Sequence, residues 1–424
     1  MHMRRRDGLR WGLGLAAAAA SWRVWATPPA AQAPPRMVLV FLRGAYDSLN
    51  TLVPHADAFY AEARPSIAVP GPGQPNGCMP LDGRWGLHPA LAGTLGPMWA
   101  RQELLMVPFA GTAFVSRSHF QAQDWMEMAG PASGGFSAAT GFMNRLQQEL
   151  GGRSQAVALT PNMPVAMRGP ARVHNAAVSG NPTPPARLLQ ASQQDALLAM
   201  YQGHPMAQMW QEGLGLANAV RSASMELAQM QQGQMQMEAG AMDALDMNPA
   251  SRQAMPASAF ALQAARVAQL LKTQPQYRLA MIDVGGWDTH ANQGGATGAM
   301  ANRLHSLGEG LGTLATQLGP DEWRQTVVVV MSEFGRNFHE NGTRGTDHGH
   351  GSALWLLGGA VRGGRVWGEE ADLKPDTLHQ KRDLPVLNEY RAVLGGLFQR
   401  LYGLDAEALA RVFPQTQALR GDWV

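Results

Sequence analysis

The chain has 424 residues, of which 45% are hydrophobic and 16% are charged, and its formal net charge is +2. This length and hydrophobic content permit one large domain or two ordinary ones, whereas the nearly balanced charge argues against nucleic acid as a partner. Glycine and proline are abundant, at 48 and 28 residues, which indicates a loop-rich globular protein. Cys78 is the only cysteine, so an intrachain disulfide and a cysteine-based metal site are excluded.

The first 33 residues have the features of an export signal. A basic segment around Arg5-Arg6 precedes an apolar run at 11–20, and small residues suited to cleavage follow at Ala26 and Ala31–Ala33. The paired arginines resemble a twin-arginine signal; an ordinary secretory signal or a membrane anchor is the alternative. The run is short for a membrane span of about 20 residues. We expect residues 1–33 to engage the twin-arginine export machinery and 34–424 to be periplasmic or secreted.

Several apolar, β-branched runs predict buried strands, and each is followed by a polar loop or a helix. The clearest runs are Met37–Leu42, Leu104–Ala110, Arg278–Val284 and Val327–Val330. Strands that alternate with helices in this way predict an α/β fold with a largely parallel central sheet. In such folds the functional groups lie just beyond the carboxyl ends of the strands.

Compact metal ligands follow three of these strands. Asp347-His348-Gly349-His350 ends the loop after the last run, and Asp288 and His290 follow Gly285-Gly286. Asp47 follows the first strand, where an Asx turn or helix cap is an equally good interpretation. Carboxylate and imidazole are ligands for zinc and similar ions. A solvated polar loop is the alternative for each segment alone, and Asp283 is a reserve ligand.

The segment Ser116-Arg117-Ser118-His119 is predicted to begin a helix that runs to Met128. A serine at a helix N-terminus beside an arginine is suited to nucleophilic catalysis, because the helix dipole and the guanidinium favour a bound oxyanion. The alternative is that Ser116 or Ser118 only caps the helix. His119 either supports the site or packs.

Residues from Ala186 to Gln274 are predicted to be mainly helical and contain many methionines. We interpret this stretch as an insertion or cap on the main domain. Methionine is a soft ligand for Cu(I), so copper handling is an alternative interpretation, although methionine also fills helical surfaces and grooves. The methionines are Met206, Met209, Met225, Met230, Met235, Met237, Met242 and Met247.

Five segments, taken in order, resemble the bacterial domain-of-unknown-function family numbered fifteen-zero-one, which belongs to the alkaline phosphatase-like superfamily. They are RGAYDSLNTLVP, SRSHFQAQD, GGWDTHANQ, SEFGRN and TDHGHG. The resemblance covers nearly the whole mature chain and implies an α/β/α sandwich, alkaline phosphatase-like, with two metal ions, zinc first and calcium, magnesium or manganese as alternatives.

The resemblance also implies roles for particular residues. Asp47, Asp347 and His348 match one metal, Asp288 and His290 the other, and His350 a position close to both. His350 or His379 would complete the second metal, with Asp383 or Glu389 as substitutes. Ser118, or else Ser116, matches the nucleophile. Apart from the resemblance, Arg117 or Arg336 would hold substrate oxygens, as a bidentate guanidinium can.

Two functions are consistent with these features. The first is an exported, metal-dependent hydrolase of phosphate or sulfate esters, acting on a small molecule or a glycan through a serine nucleophile. The second is a non-catalytic envelope protein that keeps the fold and binds a protein partner through the methionine-rich helices. A fold shared with enzymes does not itself fix the chemistry.

Overall fold

The computed structural model describes residues 33–130, 140–176, 191–204, 206–231 and 249–424. The predicted signal peptide therefore lies outside the described residues, apart from Ala33. Residues Pro34–Val424 form one compact unit. In the part of the chain that is described, no helix has the length and apolar character needed to cross a membrane.

Most strands belong to one large central sheet, and three short ones form a separate small sheet. In chain order the strands are β1 (Arg36–Leu42), β2 (Leu52–Val53), β3 (Met79–Pro80), β4 (Gly86–Leu87), β5 (Leu104–Gly111), β6 (Gln155–Ala158), β7 (Val173–Asn175), β8 (Met255–Pro256), β9 (Tyr277–Gly285), β10 (Thr326–Met331), β11 (Ser352–Leu357), β12 (Arg365–Val366) and β13 (Asn388–Glu389).

The large sheet is mostly parallel. Its strand order is β12-β5-β11-β10-β1-β9-β6-β7, with β13 beside β5 and β8 beside β9, while β2, β4 and β3 form the small sheet. At the centre, β1 pairs in parallel with β10 on one side and β9 on the other. β11 is antiparallel to both of its neighbours, β10 and β5. The expected α/β fold with a largely parallel sheet is therefore confirmed.

Helices lie between the strands in chain order. They are α1 (Ser48–Thr51), α2 (Ala58–Ala63), α3 (Pro89–Ala100), α4 (His119–Met128), α5 (Phe142–Leu150), α6 (Ala191–Met200), α7 (Ala207–Gln231), α8 (Ala257–Thr273), α9 (Ala299–Arg324), α10 (Tyr390–Tyr402) and α11 (Ala406–Val412). Short 3₁₀ turns occur at Gly151–Arg153, Val165–Met167 and Pro249–Ser251. α9 is kinked at Gly319, where φ is 79°.

The sheet has a hydrophobic core on each face. Alternate residues of a strand point to opposite faces, so Val38 and Val40 join one core while Leu39 and Phe41 join the other. Residues of α3, α8 and α9 line the first core, and residues of α5, α10 and α11 line the second. Because both faces are covered, the strands have continuous apolar runs, as buried parallel strands require.

The methionine-rich stretch does not behave as a single insertion. Its last helix, α8, is part of the main core, where Phe260, Val267 and Leu271 are fully buried. In its first part, Met206 and Met209 are exposed. Met235, Met237, Met242 and Met247 lie outside the described residues. The part of the stretch that can be removed without damaging the core is therefore limited to residues before α8.

Candidate metal centre

Several strands bring side chains to one edge of the sheet. β1, β9 and β10 are parallel neighbours, so their carboxyl ends lie side by side. β5 runs in the same direction, because it is antiparallel to β11, which is antiparallel to β10. The amino end of β11 lies at this edge as well. The loops that follow β1, β5 and β9, and the loop that connects β10 to β11, therefore meet at the position where α/β proteins usually bind ligands.

Four side chains from these loops converge on a common point. His119, Asp288 and His348 have ligand atoms within 4.8 Å of one another. Nε2 of His348 lies 2.9 Å from Nε2 of His119 and 3.0 Å from Nε2 of His290. Oδ1 of Asp288 lies 3.4 Å, 2.9 Å and 3.2 Å from Nε2 of His119, His290 and His348 respectively. His290 is thus close to Asp288 and His348, although it is not one of the three residues whose ligand atoms all lie within 4.8 Å of one another.

The opposite ring nitrogens of the two more buried imidazoles face groups that only accept hydrogen bonds. Nδ1 of His119 lies 2.8 Å from Oε1 of Glu333, and Nδ1 of His348 lies 2.8 Å from the carbonyl oxygen of Arg117. Each Nδ1 must therefore carry a proton, and in the neutral ring Nε2 then has the lone pair. Two lone pairs 2.9 Å apart repel unless a proton or a cation lies between them.

The third imidazole, that of His290, also has an acceptor near its Nδ1, but at a longer distance. Nδ1 of His290 lies 3.5 Å from Oδ1 of Asp347, and Asn341 donates to that same oxygen. This donor, together with His290, lowers the pKa of Asp347 against the opposing effect of burial. Asp347 is half exposed, at 52% of its side chain. It is therefore placed to orient His290 rather than to join the four converging atoms.

The atoms of His119, Asp288 and His348 fit a transition-metal cation. In a tetrahedral zinc site with bonds of about 2.0–2.1 Å, neighbouring ligand atoms are about 3.3 Å apart. The three separations among Nε2 of His119, Oδ1 of Asp288 and Nε2 of His348 are 2.9, 3.2 and 3.4 Å. Orienting acceptors on the far ring nitrogen are typical of histidines that bind metal. His119, Asp288 and His348 thus fit a zinc-like ion with two nitrogen donors and one oxygen donor, and His290 lies next to them on the exposed side.

Protonation of His119 is the alternative to a bound cation. Burial disfavours its charged form, but hydrogen bonds to Asp288 and Glu333 outweigh burial and raise the pKa of His119 to about 9. Burial also raises the pKa of Glu333, but hydrogen bonds from His119 and Gln123 more than offset this and leave the pKa lowered. At neutral pH the metal-free cluster therefore holds a proton on His119, which a cation has to displace.

Glu333 is fixed by donors from several parts of the chain. Its Oε1 accepts from the backbone N–H of Gly44 at 2.9 Å and from Nε2 of Gln123 at 2.9 Å, and its Oε2 accepts from Ser332 at 2.8 Å. Gly44 has a φ of 113°, and a Cβ atom there would lie 2.8 Å from the backbone nitrogen of Asp288. Glycine is therefore required at position 44 for this close approach.

Arg336 is buried, hydrogen-bonds to Asp288 of the cluster, and is not accessible to a substrate. The side chain is fully buried, and Nη2 donates to Oδ1 of Asp288 at 2.6 Å. The same guanidinium donates to backbone carbonyl groups of Gly44, Ala45, Trp287 and Thr346. The position of Arg336 thus favours a role in orienting Asp288, not the expected role in holding substrate oxygens.

Asp47 does not join the four converging atoms. Its Oδ2 accepts from Arg64 at 2.6 Å and from Gln293 at 2.6 Å, and its Oδ1 accepts from the backbone N–H of Leu49. Asp47 is also the N-cap of α1. The carboxylate is buried beside Arg64, and this placement corresponds to the helix-cap interpretation of the sequence.

The two serines differ in their hydrogen bonding. Ser118 is the N-cap residue of α4, but its side chain makes no capping hydrogen bond. Oγ of Ser116 accepts from the backbone N–H of Ser118 and donates to Gln121. Ser118 lies between Arg117, whose carbonyl oxygen faces His348, and His119, so it is the serine with the less constrained hydroxyl beside the cluster.

His350 lies near the cluster but does not contribute to it. Its ring packs against His379, with 4.5 Å between ring centroids. Burial, together with the neighbouring His379 and Arg117, lowers the pKa of His350 to about 4. The structure thus brings together Asp288, His290 and His348 from the predicted metal ligands and adds His119. The sequence signal for His119 was its position directly after Ser118 at the start of a helix.

The fold and the cluster define an α/β protein with a metal-competent group at the carboxyl edge of its sheet. A family model described as "Protein of unknown function (DUF1501)" matches residues 34–413. The chain belongs to this family. No curated protein matches it.

Two solved structures resemble the chain distantly. "Crystal structure of Ps i-CgsB in complex with k-i-k-neocarrahexaose" has 10% sequence identity and a TM-score of 0.36, covering 88% of this chain and 74% of that one. "Crystal structure of Ps i-CgsB" has 12% identity and a TM-score of 0.38, covering 90% and 75%.

Proposed function

We propose that the protein is an exported, metal-dependent hydrolase of phosphate or sulfate esters that uses one cation at the cluster of His119, Asp288, His290 and His348. The observation that supports this proposal is the convergence of the ligand atoms of His119, Asp288 and His348, with Nε2 of His290 2.9–3.0 Å from Asp288 and His348. Nitrogen-rich sites select zinc or another transition ion, whereas calcium and magnesium prefer oxygen ligands. Since one such cluster occurs among the described residues, the proposal takes one ion in place of the two that the family resemblance implied.

Within this proposal, Ser118 is the nucleophile and Arg117 positions the anionic group. When bound, the cation supplies positive charge that polarises an ester oxygen and stabilises a deprotonated hydroxyl. Oγ of Ser118 attacks the phosphorus or sulfur atom, and the alcohol leaves with a proton. Water then hydrolyses the seryl ester and restores the hydroxyl. Arg117 is 38% exposed and points its guanidinium toward Asp383, so part of it remains open to solvent.

The protein side chains hold the imidazoles ready for this chemistry. Glu333 and the Arg117 carbonyl fix the protonated nitrogens of His119 and His348, so that both lone pairs face the centre without rearrangement. The exposed part of the cluster is formed by His290, at 45% side-chain exposure, which lies beside the half-exposed Asp347. Substrate therefore approaches from the side of His290.

The first experiment is a metal analysis of the protein purified from its native compartment, followed by a screen of aryl phosphates and aryl sulfates. The expected result is about one transition-metal ion per chain, lost in the His119→Ala and His348→Ala variants. Turnover should disappear in Ser118→Ala and persist in Ser116→Ala, which serves as the matched control. Full activity in Ser118→Ala would remove the nucleophile from the proposal, and a metal-free native protein would remove the hydrolase.

A non-catalytic envelope protein is the second candidate. It is favoured by the nearness of His290 to this group, because a fourth protein ligand would fill a tetrahedral zinc site and leave no position for a substrate. This candidate predicts one bound ion without turnover on any ester. Met206 and Met209 would then belong to a contact surface for a protein partner, since both are exposed. Substituting both by glutamate should abolish a complex isolated from the envelope without changing the metal content.

A further inference from the structure

His350 and His379 form a pair of imidazoles beside the metal cluster that the proposed chemistry does not use. Their rings are tilted by 35°, with centroids 4.5 Å apart. His350 is 7% exposed. Within the described part of the chain, Nε2 of His379 is buried and has no hydrogen-bond partner. A buried polar atom left unpaired costs about 1–3 kcal/mol, so such an atom is normally satisfied by a ligand or an ordered water.

The charges around the pair favour an anion. Asp383 is fully buried, and its carboxylate pairs with Arg117 at 2.7 Å and with Arg382 at 3.1 Å. Two guanidinium groups thus face this one buried carboxylate, although Arg382 also interacts with the more exposed Asp347. A cation is disfavoured beside the two guanidinium groups. An oxyanion is favoured, because guanidinium and imidazole N–H groups both donate to oxygen.

The backbone holds this group of side chains in place. The amides of His379 and Asp383 donate to each other's carbonyl oxygens, at 2.8 and 3.0 Å, and Phe338 donates to Arg382 at 3.1 Å. A fixed backbone lowers the entropy lost when a ligand binds. The positions of His379 and Asp383 are thus set before any ligand arrives.

We propose that His350, His379 and Arg117 form a subsite that binds a tetrahedral oxyanion, a phosphate or sulfate group, next to the metal cluster. His350 follows His348 by two residues, so their Cα atoms are at most about 7 Å apart. Arg117 joins the two places directly, because its carbonyl oxygen faces His348 while its guanidinium pairs with Asp383. Identifying this oxyanion with the acidic group of the ester substrate rests on the proposed function; the binding itself does not.

Calorimetric titration of inorganic phosphate and of sulfate into the chelator-treated, full-length mature protein tests the subsite without the cation. We expect binding by the wild-type protein that weakens at least fivefold in His379→Gln and in Arg117→Gln. His305→Gln is the matched control, because this histidine is exposed on α9. It should bind as the wild type does. His350→Gln provides a second variant if His379→Gln does not fold.

Each outcome of the titration has a definite meaning. Binding of phosphate alone or sulfate alone identifies the ester class, and binding of both supports a general tetrahedral subsite. Equal binding of acetate, no binding by the wild type, or unchanged binding in the variants overturns the proposal, and the unpaired nitrogen of His379 is then satisfied by water. Metal content and ester turnover are measured separately, so failure of the hydrolase proposal leaves the result for the metal-free protein intact.

Discussion

Replacing Glu333 by glutamine should weaken metal binding while preserving the fold. The glutamine oxygen can accept the same hydrogen bonds from Gly44, Gln123 and His119 that Oε1 of Glu333 accepts. The new amide group would face Ser332, whose hydroxyl donates to Oε2 of Glu333 in the wild type and can instead donate to the nearby Leu42 carbonyl and accept from the amide in the variant. The change removes the negative charge that makes His119 a better ligand. Loss of such an orienting partner typically costs about 10–100-fold in metal affinity.

The measured loss of metal affinity in Glu333→Gln depends on pH. In the metal-free wild type the pKa of His119 is about 9, so proton competition reduces the apparent metal affinity at pH 7 by about 100-fold. Glu333→Gln lowers this pKa and so relieves part of the competition. The two effects oppose each other at pH 7. Above pH 9 the ring is neutral in both proteins, and only the loss of the carboxylate remains.

Zinc affinity should therefore be measured by competition with a chelator of known affinity at pH 7 and at pH 9.5. The wild-type affinity is expected to rise with pH and to level off near pH 9. The Glu333→Gln variant should be about 10–100-fold weaker at pH 9.5 and closer to the wild type at pH 7. Glu62→Gln, on the exposed surface of α2, is the control. Equal affinities at pH 9.5, or a wild-type affinity independent of pH, would refute the reasoning.

Two further predictions concern neighbouring side chains. His348→Ala should reduce metal affinity more than about 100-fold, the largest loss typical of an orienting partner, because His348 is a ligand. His290→Ala, at the exposed side, should reduce the affinity roughly 10-fold. Equal losses for the two variants in the same chelator competition would contradict this order. Arg64→Leu leaves the buried carboxylate of Asp47 without its charged partner and should lower the free energy of unfolding by about 3–5 kcal/mol in urea denaturation. The exposed Arg420→Leu should be neutral, and similar midpoints for both variants would contradict the assignment.

Acidity also affects the stability of the metal-free protein. The pKa of His119 is raised from an ordinary value of 6.5 to about 9 in the folded chain. Protonated His119 therefore stabilises the fold below pH 6.5, and this contribution is lost as the pH rises through about 9. The difference corresponds to on the order of 3 kcal/mol. The midpoint of thermal unfolding in chelator should fall across this interval, and a flat profile would show that His119 is not paired as described.

The fold was predictable from the sequence because buried parallel strands leave a clear local signal. Continuous apolar runs such as Val327–Val330 result from burial on both faces, and the sequence shows this without any knowledge of neighbours. The strand order leaves no such signal. The antiparallel direction of β11 and the position of β5 beside it depend on packing between distant segments. The role of α8 was mistaken for the same reason, since core helices and capping helices can share the same periodicity.

The candidate site was predictable where its residues lie in a loop next to a central strand and form a compact Asp and His pattern. Asp288 and His290 come from such a loop, and His348 precedes a strand at the same edge. His119 follows β5 in the chain, at the start of α4. Its contact with His348 therefore depends on the position of β5 in the sheet, beside β11. Asp47 has the same local pattern as Asp288, but its carboxylate meets Arg64, a partner that no local pattern reveals.

The three imidazoles differ in how firmly they are oriented, and this difference indicates where substrate enters. His119 faces a buried carboxylate and is 8% exposed, and His348 faces a main-chain carbonyl and is 23% exposed. His290 faces a half-exposed carboxylate at 3.5 Å and is 45% exposed. An ion held by all three is therefore bound most weakly on the His290 side. If one protein ligand leaves to admit a substrate oxygen, His290 is the one whose departure breaks the fewest contacts, so four protein donors are compatible with catalysis.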